Sequence, residues 1–189
     1  MKLLSILLDA VFPVCCIGCG RKSSYLCKAC LSTIPLVKEI TYGTTSLPHL
    51  TEGRLCGIIT AASYHFPLLK KSIQLFKYKR IKMIGTELGV LMRESIIPFL
   101  DRNPNAWVVI PVPLHKKKEY SRGFIQNDIL ATSCFARDAV TRSRSTIRLL
   151  AGRDNPLTRI KNTHSQTTLS GEKRISNARV IFAIKDAAY

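Results

Sequence analysis

An α/β protein with a parallel sheet, preceded by a small cysteine-built unit, is the fold class that this 189-residue sequence predicts. Three observations carry the prediction. Two Cys-x-x-Cys pairs, Cys16/Cys19 and Cys27/Cys30, lie close together near the amino end. The run Trp107-Val-Val-Ile-Pro-Val-Pro-Leu114 is short, apolar and without alternation, as expected of a strand covered on both faces of a parallel sheet. A basic, glycine-containing loop and a helical pattern from Gln126 to Asp138 follow it. Strand, loop and helix in that order form the first half of a β-α-β unit, with ligands expected beyond the carboxyl end of the strand.

Four thiolates at the spacing of Cys16, Cys19, Cys27 and Cys30 can reach one tetrahedral ion. Each pair bends the backbone into a turn that aims both sulfurs inward, and Gly18 and Gly20 flank Cys19 where such a turn needs a permissive backbone. Buried thiols or disulfide partners are the competing readings. Cys15, beside Cys16, could stand in as a ligand, although a C-x-x-C spacing fits the turn better. Cys56 and Cys134 are isolated and expected to pack as small apolar side chains. Seven cysteines in a chain without a convincing secretory signal point to a reducing, cytoplasmic compartment, and so to structural zinc in place of a disulfide framework.

Composition narrows the class of partner. Hydrophobic residues make up 46% and charged residues 22%, a globular balance, yet 29 Lys+Arg against 12 Asp+Glu leave a formal net charge of +17. That excess favours polyanions such as nucleic acid, nucleotide phosphates or anionic membrane, although a solvated basic surface has the same composition. The opening MKLLSILLDAVFP is apolar, but Asp9 interrupts it, the run is too short to span a membrane, and no small-residue cleavage site follows. Leu4, Leu7, Leu8 and Val11 share one helical face, so a short amphipathic helix packed on the cysteine unit is expected.

Three segments organise the chain: an N-terminal helix and ribbon over 1–40, a connector over 41–56, and an α/β domain over 57–189. Residues 31–57, rich in Thr, Ser, Gly and Pro, read as irregular. Gly57 to His65 reads as a strand. Pro67 then opens a helix with Leu69, Ile73 and Phe76 on one face and Lys70, Lys71 and Lys77 on the other. Ile84, Leu88 and Leu91 belong to a second helix that Pro98 should end, before a turn cluster at Asp101 to Asn105. A short strand is expected at Thr146 to Leu150, a polar loop or hairpin over 156–179, and a further strand at Asn177 to Ile184. Tyr64, Tyr78 and Trp107 are expected to pack, and His115 and His164 to be loop histidines.

Four blocks of this sequence resemble the ComF family, competence-associated proteins with a zinc ribbon ahead of a type I phosphoribosyltransferase-like domain. They are LLDAVFPVCCIGCG with LCKAC; ASYHFPLLKKSIQLFKYK; VIPVPLHKKKEYSRGFIQNDILA; and a pattern carried by Arg159, Thr163, Gln166, Leu169, Arg174, Asn177 and Phe182. Ile125 and Asn127 stand where the family usually has Asn and Ala. The resemblance implies a phosphoribosyltransferase-like parallel sheet, structural zinc, magnesium accompanying a phosphorylated ligand, and a link to DNA uptake.

One departure bears on activity. The family continues into an Asp-Asp…Thr-Thr-Gly loop that holds phosphoribosyl pyrophosphate, whereas this sequence has no adjacent acidic pair and no Thr-Thr-Gly. The expectation is therefore a C-terminally truncated, incomplete domain, catalytically silent, with no catalytic residue to assign. Departure of pyrophosphate from the sugar builds positive charge at C1′, and directing a nucleophile there needs a rigid grip on the sugar. What remains is the pyrophosphate side: Pro113, Leu114, His115, Lys116, Arg122 and Gly123, with the basic segment 159–174 as a hood. Arg122 with Gly123 is the strongest element, a bidentate donor beside a permissive backbone after a strand. The expected partners are a phosphorylated small molecule or pyrophosphate, single-stranded nucleic acid, and a second copy paired through an exposed sheet edge. The alternative reading is a non-enzymatic zinc-ribbon module that binds nucleic acid.

Overall fold

The computed structural model describes residues 13–37, 40–42, 57–102, 106–136, 146–163 and 181–185. The expected N-terminal helix, Cys56, His164 and most of the segment 159–174 lie outside them. Helix α1 (Lys28–Ser32) follows the second cysteine turn. Strand β1 (Ile40–Tyr42) pairs antiparallel with β2 (Gly57–Ile59), Ile40 opposite Ile59. β1 straddles the expected boundary between ribbon and connector. β2 is shorter than the expected strand to His65: beyond it only Ala62 keeps a bridge, to Leu36.

Helix α2 (Pro67–Tyr78) begins with proline at its first turn, where the missing N–H costs nothing, and buries Leu69, Ser72 and Phe76. Tyr64 and Tyr78, expected to pack, are instead 48% and 64% exposed. Helix α3 (Lys82–Arg102) contains Pro98 instead of ending at it. Proline removes one backbone bond, but the turn beyond it has apolar surface to bury: Leu100 is buried and the Phe99 ring lies 5.8 Å from that of Trp107. Burial outweighs the lost bond.

Strand β3 (Ala106–Val109) pairs in parallel with β4 (Thr146–Leu149), Ala106 opposite Thr146 and Val109 opposite Leu149. Between them run α4 (Lys116–Arg122) and α5 (Gln126–Cys134), completing a β-α-β unit with a small parallel sheet. Two expectations are corrected here. The strand stops at Val109 and does not reach Leu114, because Pro111 and Pro113 have no N–H to donate to a ladder. It is also not covered on both faces, since Val108, Ile110 and Val112 are 57%, 38% and 48% exposed. Beyond β4, a 3-10 turn (Gly152–Asp154) leads to β5 (Leu157–Arg159), paired antiparallel with β6 (Phe182–Ile184).

One apolar core joins the ribbon to the helices. Leu26 and Ile34 from the cysteine unit cluster with Leu69, Phe76, Ile84, Leu88, Leu91 and Phe124. α3 and α5 cross closely at Gly89, where a Cβ would lie 2.5 Å from the Ser133 Cβ and 2.9 Å from the Leu130 carbonyl oxygen. Arg93 of α3 donates to the Ser133 and Cys134 carbonyls at the end of α5. Cys134 packs as expected: it is fully buried, and that burial pushes its thiol up to about 11. Among the described residues no helix is long and apolar enough to cross a membrane.

Candidate functional site

The ribbon turns are built by short backbone bonds. The Gly20 N–H donates to the Cys16 carbonyl at 2.8 Å and the Cys16 N–H to that of Arg21 at 2.8 Å, while Gly20 takes φ +75°, which a side chain would strain. The Sγ atoms of Cys16, Cys19, Cys27 and Cys30 all lie within 4.8 Å of one another. Cys19 and Cys27 Sγ are 3.7 Å apart, against about 3.8 Å for the edge of a tetrahedron with metal–sulfur bonds of about 2.3 Å. The four thiols therefore fit a tetrahedral metal such as zinc. A Cβ at Gly18 would stand 2.8 Å from Cys30 Sγ, so only glycine leaves the cage open. Cys15 is outside the cluster, its backbone bridged to Lys22.

The thiols are electrostatically unequal. Burial pushes the Cys16 thiol up, but N–H groups of Cys27, Cys19 and Gly18 and the Cys27 side chain outweigh it and bring the group down to about 6. Cys30 is pushed up to about 12, first by its hydrogen bond with Cys19, then by burial and the other cysteines. At neutral pH it keeps a proton that a metal must displace, so metal uptake releases protons and weakens as pH falls. From α3, Glu87 faces this unit. Burial raises its carboxyl above the usual range, opposed by the Leu26 N–H, reinforced by the charge on Cys16 and opposed again by the Tyr25 N–H.

The chain is expected to carry about one metal ion such as zinc per molecule, because a site of this kind is closed by its four protein ligands. Metal analysis of Cys27→Ser and Cys15→Ser variants checks it: occupancy should collapse in the first and persist in the second. Full occupancy in Cys27→Ser would rule out this ligand set.

The second group of residues lies beyond the carboxyl end of β3. Its segment Pro113–Gly123, expected as a flexible loop, contains α4. His115 caps that helix through Nδ1, which accepts the Lys117 N–H at 3.2 Å, and Gly123 closes it at φ +75°. The histidine thus serves the backbone, and the basic run becomes a helical face. Lys118 and Arg122 share that face, four residues apart. Arg122 donates to Gln126 Oε1, and Gln126 Nε2 reaches the Phe76 carbonyl at 3.4 Å. Lys118 Nζ donates to the Thr163 carbonyl at 2.8 Å, and Arg159 donates to Thr163 Oγ1 at 2.5 Å.

Lys77, Lys118, Arg122 and Arg159 thereby form a cationic cluster. Burial first, and then the Arg122 guanidinium, hold the Lys77 ammonium below its usual range; burial, Arg159 and Arg122 do the same to Lys118. Like charges held together on partly desolvated stems favour an anion between them. A cleft of about 390 Å³ adjoins the cluster, with Pro113, Leu114 and Lys116 on one wall and Arg153, Asn155 and Arg159 on the other. Asp128 also lines it. Its Oδ2 accepts the Gly152 N–H at 3.1 Å, its Oδ1 is buried without a partner among the described residues, and burial raises its carboxyl above the usual range.

The structure thus brings Pro113, Leu114 and Lys116 to one cleft and Arg122 to its neighbour cluster, while His115 and Gly123 act as helix caps. Sequence reasoning missed Arg153, Asn155 and Asp128 as cleft residues, and did not join Lys77 to Arg122. The chain matches no protein-family model, and no match to it is found among curated proteins or solved structures.

Proposed function

We propose that this chain is a ComF-like protein of phosphoribosyltransferase fold, holding structural zinc in its ribbon and binding pyrophosphate or a phosphorylated small molecule at the basic cluster. The observation that carries the reading is convergence. Lys77 lies near the end of the second of the four blocks, Lys118 and Arg122 lie in the third, and Arg159 with Thr163 opens the fourth, yet they touch or repel one another in space. Arginine offers a planar fork to phosphate oxygens, and lysine adds mobile charge. Magnesium would accompany such a ligand by neutralising its remaining oxygens.

The basic cluster offers donors to pyrophosphate oxygens and these 189 residues hold no adjacent acidic pair to grip a sugar, so we infer that by themselves they bind without transferring. The expected result with phosphoribosyl pyrophosphate, magnesium and a panel of bases is no pyrophosphate release. Pyrophosphate binding should be present in the wild type and reduced about tenfold or more in Arg122→Ala. Turnover would contradict the silent reading, and unchanged binding in the variant would remove Arg122 from the site. The second reading, a nucleic-acid module, is favoured by the net charge of +17. It requires affinity for single strands that falls steeply with salt.

A further inference from the structure

A cavity of about 260 Å³ opens between α2, α3 and α5, beside the basic cluster but distinct from the cleft at β3. Phe76, Leu88, Leu91, Met92 and Leu130 are among the apolar side chains of its wall. Protein interiors are close-packed, and about 150 Å³ suffices to admit benzene, so the space is large enough for one ring with a substituent. Polar groups are few and set to one side. Gln126, 4% exposed, is held between Arg122 and the Phe76 carbonyl, and Lys77 stands at the rim. Asn127 also lines it, its Nδ2 donating to the Val112 carbonyl at 2.7 Å, and an apolar chamber with two held amides and one cation is the usual composition of a small-ligand site.

We propose that this cavity binds a small aromatic monocarboxylate, its ring against Phe76, Leu91 and Met92 and its carboxylate on Lys77. The ring is favoured because phenylalanine and thioether walls make specific contacts with aromatic edges. The single anionic group is favoured because Lys77 is the one cationic side chain among the described residues that line the cavity. This goes beyond the phosphate reading and shares only Lys77 with it.

Benzoate and its neutral counterpart benzyl alcohol are the probes, followed by methyl NMR of the zinc-loaded chain. Saturable shifts at Ile73, Leu88, Leu91 and Met92 are expected with benzoate, with affinity falling about tenfold in Lys77→Gln. Benzyl alcohol should bind more weakly and respond little to Lys77→Gln, and Ala62→Leu, which narrows the cavity, should weaken both. Arg159→Gln, which belongs to the phosphate cluster, should leave benzoate binding unchanged while weakening pyrophosphate, so the two readings fail separately. No shift at the cavity methyls, or equal benzoate affinity in wild type and Lys77→Gln, would overturn the assignment.

Discussion

Stripping the metal from the cysteine unit is expected to unfold α2 and α3 together with the ribbon, in one transition. Leu26 and Ile34 belong to the same buried cluster as Phe76, Ile84 and Leu88, so the ribbon is part of the helices' core and not a detachable appendage. A four-thiolate zinc site in small peptides contributes on the order of 10–16 kcal/mol at neutral pH, comparable to or above the roughly 5–15 kcal/mol that whole domains possess. The loss cannot be absorbed locally. Circular dichroism during titration with a strong chelator should lose the helical signal as zinc leaves, and the thermal transition of the holo chain should disappear. Helices that persist with an unchanged melting temperature after complete zinc removal would show that ribbon and helices are separate units.

The second large effect is expected at Gly89. On an exposed helix, alanine in place of glycine would stabilise by about 1 kcal/mol. Here the sign reverses, because the new Cβ would lie 2.9 Å from the Leu130 carbonyl oxygen and 3.2 Å from the Cys134 backbone N, neither of which a side-chain rotation can move. Overpacking of this kind costs about 1–3 kcal/mol, more for larger groups. Gly89→Ala should lower the melting temperature by several degrees, and Gly89→Leu should separate α3 from α5 and leave a largely unfolded chain. A stabilised Gly89→Ala variant would mean that the two helices do not approach this closely.

Local structure is legible where neighbouring residues decide it. The cysteine spacing specifies its own geometry within a few turns, and Pro67 at the head of an amphipathic pattern marks the start of α2. Expectation and structure part where distant residues decide the outcome. Pro98 interrupts helical bonding locally, but Leu100 has a core to enter. The basic segment after Pro113 reads as a loop until His115 and Gly123 are recognised as the two caps of α4. Gly123 just past the basic segment was the available signal for that helix. The strand, loop and helix order predicts a parallel partner for β3, and β4 supplies it, but no local pattern tells that the segment after β4 brings Arg153 and Asn155 to the cleft. Nor does spacing reveal that Lys77 feels the charge of Arg122, since one lies in the last turn of α2 and the other ends α4.

The central functional claim is that basic residues far apart in sequence form one anion site. Pyrophosphate titration of wild type, Lys77→Gln, Arg159→Gln and the double variant tests it most directly. In the proposed site all four residues would act on one ligand, so each single change should weaken binding about tenfold, and the double change should depart from additivity because the two would share that ligand. Binding that is lost in one single variant and untouched in the other would contradict a shared site.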